Sequence, residues 1–90
     1  MIEELFSIIQ DRKTNPKPGS YTNQLFDKGM SRIAQKVGEE GTEVVVAALS
    51  QENDRLVEEI ADLTYHVLVL MAAKGLTPDN ISKELEKRHK

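Results

Sequence analysis

The chain contains no cysteine and no tryptophan, and aromatic residues make up only 4% of its 90 residues. The lack of cysteine excludes a disulfide framework and a thiolate metal site. Because aromatic side chains are so few, the core must be built mainly from leucine, isoleucine, valine and alanine. No apolar run reaches about 18 residues, so no segment is expected to span a membrane.

An excess of charge of one sign is also missing, because 12 basic and 15 acidic residues leave a formal net charge of −3. Binding to a phosphate backbone needs a basic face, so nucleic acid is not an expected partner. The first ten residues carry Glu3 and Glu4 but no basic side chain, which is unlike a secretory signal. We therefore expect a cytoplasmic protein without a nucleic-acid or membrane partner.

The length of the chain predicts one domain over residues 1–90. A domain of this size buries a limited share of its surface, and small domains often gain stability by oligomerising. We therefore expect a homodimer or a larger assembly.

Helical periodicity dominates the chain, and strand-like alternation appears nowhere over a useful length. Apolar residues recur at helical spacing in four segments, which cover residues 2–12, 29–50, 53–74 and 78–88. Between the first two segments, residues 13–28 contain Pro16, Pro18 and Gly19, which predict a loop. The pattern predicts an all-α fold, a bundle of four to five helices completed by dimerisation.

The longest predicted helix starts after an N-cap at Asn53 or Asp54 and stops at Gly75. Its expected core stripe consists of Leu56, Ile60, Leu63, Val67 and Leu70. A further helix is expected to begin at Thr77-Pro78 and to pack through Ile81 and Leu85.

The preceding helix, over residues 29–50, is expected to bury Ile33, Val37, Val44 and Ala48. It also contains Gly38 and Gly41, which are costly inside a helix. Close approach of a neighbouring helix or of a ligand would explain why these positions are glycine.

Two acidic pairs stand at i,i+3 spacing, Glu40 with Glu43 and Glu59 with Asp62, so each pair shares a helix face. At 1.5 Å rise per residue, the two pairs fall at about the same height along a helical hairpin. Such carboxylates suit a hard cation such as Mg²⁺. The pattern alone leaves two interpretations open, a metal site or two solvated acidic faces.

Longer strings around these acids resemble a known family. They are Ser20-Tyr21-Thr22, Lys-Val-Gly-Glu-Glu at residues 36–40, Thr-Glu-Val-Val at 42–45, and Glu-Ile-Ala-Asp-Leu-Thr-Tyr-His at 59–66. The acidic signature resembles that of the MazG-type nucleotide pyrophosphohydrolases. The other strings resemble more specifically the phosphoribosyl-ATP pyrophosphohydrolases of histidine biosynthesis.

The resemblance implies an all-helical fold of the MazG-like type, usually dimeric, with Mg²⁺ bound by the carboxylates. It also implies the second step of histidine biosynthesis. In that step the α–β phosphoanhydride of phosphoribosyl-ATP is hydrolysed to phosphoribosyl-AMP and pyrophosphate.

Metal binding and catalysis are assigned as a hypothesis to Glu40, Glu43, Glu59 and Asp62. Glu39 is a further catalytic candidate that would position the attacking water or orient Lys36, and its alternative is a solvated helix residue. Substrate-binding candidates are Lys36, Arg32, Lys28, Tyr21, Lys13 and His66. Each basic residue is also compatible with a role in surface solubility, and His66 with simple packing.

No Ser-His-Asp or Cys-His grouping suggests a covalent nucleophile, and no Walker-type glycine-rich loop is present. Direct attack by water activated by the metal is therefore the simplest mechanism. Two alternatives stay open: a MazG-type enzyme that hydrolyses non-canonical or excess nucleoside triphosphates, and a non-enzymatic helical interaction module.

Overall fold

The computed structural model describes residues 1–89, which contain five α-helices and no strand. The helices are α1 (Ile2–Thr14), α2 (Tyr21–Lys28), α3 (Met30–Ser50), α4 (Asn53–Ala73) and α5 (Pro78–Arg88). The all-α prediction is confirmed.

A long hairpin of α3 and α4 forms the framework, and these two helices pack against each other more extensively than any other pair. Each has 21 residues, or about 30 Å at 1.5 Å per residue. Only Gln51 and Glu52 connect them, so the chain reverses at once and the helices run antiparallel.

The hydrophobic core lies at one end of this hairpin, where α1 and α2 cover the start of α3 and the second half of α4. Its buried members are Phe6, Ile9, Leu25, Ile33, Leu68, Val69, Met71 and Ala72. The opposite end of the hairpin leaves apolar side chains uncovered, and Leu49 is 82% exposed there. Any functional site midway along the hairpin therefore lies at the border of the core.

The second half of the predicted loop over residues 13–28 is wrong, because α2 occupies it. The Ser20 hydroxyl caps this helix by accepting a hydrogen bond from the Asn23 backbone N–H at 3.2 Å. Leu25 anchors the helix by complete burial, and Gly29, at φ +92°, ends it. Both prolines lie in the preceding connection, where they do not interrupt a helix.

The predicted core stripe of α4 is only partly correct, because Val67 and Leu70 pack against the core but the earlier members do not belong to it. Ile60 is 46% exposed and Leu63 is half-buried, whereas Val69 and Ala72 are fully buried. The stripe follows the helical period of α4, but α1 and α2 pack only on its second half and determine which face is covered. On α3, Ala47 is buried, whereas Ala48, which was predicted to lie in the core, is exposed.

The predicted N-caps of α4 are also wrong. Asn53 and Asp54 are already helical, and Glu52 takes the cap position without a side-chain hydrogen bond to the helix. At its other end, the prediction of Gly75 as the stop is confirmed. Gly75 adopts φ +76°, and the following Leu76 N–H donates to the Met71 carbonyl at 2.8 Å.

Helix α5 begins at Thr77-Pro78 as predicted, and the Thr77 N–H donates to the Asn80 side-chain oxygen at 2.8 Å. Its two predicted apolar positions, Ile81 and Leu85, are 47% and 52% exposed, and the helix buries none of its residues within this chain.

Gly38 and Gly41 are not explained by close helix packing, because a Cβ at either position would meet nothing within 4 Å. The prediction of a close neighbouring helix is therefore wrong within residues 1–89. Replacing Gly38 with Ala should stabilise the protein by up to about 1 kcal/mol, because Ala loses less backbone entropy in a helix. At roughly 4–8 °C per kcal/mol for a small domain, thermal melting measures the gain.

The control is Gly75→Ala, which should lower the melting temperature because L-residues rarely adopt its φ of +76°. A lower melting temperature for Gly38→Ala would mean that another molecule packs against Gly38.

Candidate metal centre

Three carboxylates converge between the two long helices. Glu40 lies on α3, and Glu59 and Asp62 lie one turn apart on α4. One oxygen of each comes within 4.8 Å of the others. Glu59 is buried at 6% exposure, Glu40 is half-buried, and Asp62 is exposed. The cluster therefore reaches from the core border to solvent.

This donor set fits a hard divalent cation. All three donors are carboxylate oxygens, which Mg²⁺ and Ca²⁺ prefer. At Mg–O distances of about 2.1 Å, two ligands on opposite sides of one ion lie about 4.2 Å apart. Small side-chain rotations bring oxygens within 4.8 Å to that spacing. Glu40, Glu59 and Asp62 could thus bind a divalent metal together.

Glu43, the fourth predicted ligand, is exposed and does not belong to the group of three oxygens. It lies nearly one helical turn beyond Glu40, toward the 51–52 connection. Its role as a ligand stays a prediction.

Lys36 forms an ion pair with Glu40 at 3.3 Å, one turn earlier on α3. Burial lowers the pKa of the Lys36 ammonium, but the hydrogen bond to Glu40 and the charges of nearby groups outweigh it and raise the pKa above its usual value. Glu39 also approaches the Lys36 ammonium, at 3.5 Å, and accepts a hydrogen bond from Gln35. Glu39 is thus placed to orient Lys36 rather than to join the carboxylate group.

Arg55 was not among the predicted site residues. Its Nη2 donates to Glu59 Oε1 at 2.6 Å and its Nη1 to Glu58 Oε1 at 3.0 Å. The hydrogen bond from Arg55 to Glu58 and the charge of Glu58 raise the pKa of the Arg55 guanidinium most, and the charges of Glu59 and Glu43 raise it further. The i,i+4 spacing from Glu59 was the available signal, but such pairs are common on solvated helices.

Tyr21 and His66 link α2 to α4 beside the cluster. The buried His66 places Nδ1 2.7 Å from the Asp62 backbone carbonyl and Nε2 3.0 Å from the Tyr21 hydroxyl. A carbonyl only accepts, so Nδ1 carries a hydrogen, and in neutral imidazole Nε2 accepts from Tyr21. His66 therefore joins the position of Tyr21 to the backbone of a carboxylate ligand.

Tyr65 completes an aromatic cluster with these two residues. Its ring stacks on that of Tyr21 at a centroid distance of 6.2 Å and meets His66 edge-on at 5.0 Å. Its hydroxyl hydrogen-bonds to Thr22, and burial raises its pKa. Neither Tyr65 nor Thr22 was predicted as a site residue, because residues 43 positions apart give no local signal.

The other predicted basic residues lie further along the fold. Arg32 is half-buried one turn before Lys36, and Lys28 is exposed at the end of α2. The Lys13 ammonium donates to the Ala72 carbonyl at 2.9 Å, near the C-terminus of α4. Ala72 is ten residues beyond Asp62, or about 15 Å along the helix. Substrate contacts by these three residues stay predictions.

No helix within residues 1–89 combines the length and apolar character that crossing a bilayer requires.

Carboxylates that converge from two antiparallel helices, flanked by Lys36 and Arg55, define an all-helical protein with a candidate site for a divalent cation and phosphate. A family model described as phosphoribosyl-ATP pyrophosphohydrolase matches residues 2–89. The chain belongs to this family, which confirms the resemblance noted in the sequence.

Curated relatives support the same assignment along nearly the whole chain. A phosphoribosyl-ATP pyrophosphatase of Clostridium botulinum is 53% identical over 88 residues, covering 98% of this chain and 80% of the relative. The protein of the same name from Sulfurisphaera tokodaii is 51% identical over 90 residues, covering 100% and 96%. That from Lactiplantibacillus plantarum is 54% identical over 87 residues, covering 97% and 82%.

Proposed function

We propose that this chain hydrolyses the α–β phosphoanhydride of phosphoribosyl-ATP, giving phosphoribosyl-AMP and pyrophosphate in histidine biosynthesis, with Mg²⁺ as its cofactor. The observation that carries the proposal is the convergence of Glu40, Glu59 and Asp62 on the α3–α4 hairpin of a member of this family. The proposal places the enzyme in the cytoplasm, where a water-soluble nucleotide substrate would be met, as one domain over residues 1–90.

The carboxylates would hold the metal, which when bound supplies charge neutralisation at the polyphosphate and lowers the pKa of water. Glu43 is a proposed fourth ligand, because it shares the helix face of Glu40. Lys36 binds a phosphate oxygen, since its ammonium stays charged and points at the cluster. Glu39 holds the Lys36 ammonium from the other side.

Tyr21 and His66 are proposed to bind the nucleoside portion of the substrate. The Tyr21 ring is 45% exposed beside the cluster, and the hydrogen bond to His66 fixes its direction. Arg32 and Lys28 are proposed as outlying contacts for the second ribose phosphate, and Lys13 as a weaker contact because its ammonium already caps α4.

The substrate can be tested by comparing kcat/KM for phosphoribosyl-ATP with kcat/KM for dATP under the same Mg²⁺ concentration. We expect kcat/KM to be at least about tenfold higher for phosphoribosyl-ATP. Its extra ribose phosphate can accept one more charge-assisted hydrogen bond, and the free energy of such a bond corresponds to about a factor of ten. A preference for dATP would favour the alternative, a MazG-type hydrolase of nucleoside triphosphates.

A homodimer is proposed as the form in solution. Val57, Ile60 and Ile81 are between 46% and 67% exposed on α4 and α5. A groove of about 410 Å³ between α1, α4 and α5 is lined by Ile81 together with the partly buried Leu63 and Val67. An apolar surface of this kind is typical of a protein interface.

Ile60→Asp should shift the protein from dimer to monomer in sedimentation velocity, because a buried, unpaired carboxylate opposes association. Ile8→Asp is the matched control, since Ile8 is similarly exposed, at 52%, but lies on α1 and is not one of the α4–α5 side chains of the proposed interface. A wild-type protein that sediments as a monomer at all concentrations would contradict the proposed dimer.

A further inference from the structure

Two cations bracket the carboxylate cluster in the same way. Lys36 pairs with Glu40 on α3, and Arg55 pairs with Glu59 on α4, each from four residues before its partner. Because α3 and α4 are antiparallel, the same offset places the cations at opposite ends of the cluster. Lys36 lies toward Tyr21 and His66, whereas Arg55 lies toward the connection at residues 51–52.

The Arg55 guanidinium is anchored and accessible at once. Its bond to the buried Glu59 fixes its position at the edge of the cluster, yet its side chain is 51% exposed. A guanidinium has five N–H donors in a rigid fork, and the bonds to Glu58 and Glu59 use two of them. The remaining donors match the geometry of phosphate oxygens.

The surroundings of the two cations differ. The aromatic cluster of Tyr21, Tyr65 and His66 lies at the Lys36 end. The exposed ring of Tyr21 could stack on a purine base. At the Arg55 end the neighbours are charged or polar: Glu43 contributes to the Arg55 pKa, and Glu58 pairs with it. A nucleotide whose base is held at the aromatic end would direct its polyphosphate tail past the carboxylates toward Arg55.

We propose that Arg55 is a substrate-binding residue that holds the pyrophosphate portion of the nucleotide, opposite Lys36. This inference rests on the proposed function and adds to it the direction in which the substrate lies in the site. Hydrolysis of the α–β bond leaves two anions, and the arrangement gives each anion its own cation. Arg55 also holds Glu59 in place, so the charge of this buried carboxylate stays compensated.

Calorimetric titration with pyrophosphate at saturating Mg²⁺ tests this role. In Arg55→Gln, pyrophosphate should bind about tenfold more weakly or worse, because a charge-assisted hydrogen bond is lost. Phosphoribosyl-AMP should bind within about twofold of the wild type. Arg55→Lys keeps the positive charge but lacks the planar set of guanidinium donors, so its loss of pyrophosphate affinity should be intermediate.

Arg88→Gln is the matched control, because Arg88 forms the same i,i+4 pair with Glu84 at 2.9 Å on the exposed α5. It should leave both affinities unchanged. Thermal melting of each variant with and without Mg²⁺ confirms that it is folded and binds metal.

The outcomes separate this inference from the proposed function. A folded Arg55→Gln with unchanged pyrophosphate affinity, or with equal losses for both products, would overturn the role of Arg55 while the wild type remained active on phosphoribosyl-ATP. A wild type that neither hydrolyses phosphoribosyl-ATP nor binds pyrophosphate would contradict the proposed function together with this inference.

Discussion

Glu59→Gln should lower kcat/KM for phosphoribosyl-ATP by more than about 100-fold. Losing a partner of a metal ligand typically costs 10–100-fold, and losing a ligand charge should cost more. Glu59 is also 6% exposed, and its partner Arg55 would lose a buried counter-charge 2.6 Å away. Gln has nearly the same shape, so the fold is expected to persist. Steady-state pyrophosphate release over a range of Mg²⁺ concentrations measures the effect.

The chain provides a close control in the adjacent Glu58. This residue also pairs with Arg55, at 3.0 Å, but its side chain is 60% exposed and it is not one of the three converging carboxylates. Glu58→Gln should therefore retain kcat/KM within about twofold. Equal losses in both variants would show that Arg55 pairing, not metal binding, is what matters at Glu59.

Mg²⁺ should raise the melting temperature by about 10–20 °C. A ligand at 100 times its Kd stabilises the native state by about 2.7 kcal/mol, and each kcal/mol raises the melting temperature of a small domain by roughly 4–8 °C. Asp62→Asn should remove most of this shift, because it takes one of three convergent carboxylates from the site. Differential scanning fluorimetry with and without EDTA measures both.

Asp79→Asn controls for general charge effects, since Asp79 is an exposed acid paired with Lys83 at 3.1 Å on α5. It should leave the Mg²⁺ shift intact. A wild-type melting temperature that does not respond to Mg²⁺ would support the alternative of a non-enzymatic helical module with solvated acids.

Local patterns in the sequence were enough to predict four of the five helices and the convergence of Glu40, Glu59 and Asp62. The i,i+3 spacing of Glu59 and Asp62, and the short connection of the hairpin, bring both acids to the height of Glu40. The stop at Gly75 was equally predictable, because a glycine at positive φ is a local requirement. Each of these features depends on residues within one helix or one turn.

Features that depend on distant packing could not be predicted in this way. Helix α2 was missed because nearby prolines masked the Ser20 cap and the anchoring of Leu25. The covered face of α4 depends on where α1 and α2 lie, which periodicity alone does not determine. The contact between Tyr21 and His66 spans 45 positions, and only the folded chain brings them together.

We propose that the α3–α4 carboxylates form a metal-dependent site that cleaves phosphoribosyl-ATP between its α and β phosphates. The most direct measurement is product analysis after incubating the purified protein with phosphoribosyl-ATP, with and without Mg²⁺. We predict phosphoribosyl-AMP and pyrophosphate in equal amounts, formed only when Mg²⁺ is present. Release of orthophosphate, product formation that is independent of divalent metal, or no turnover would contradict the claim.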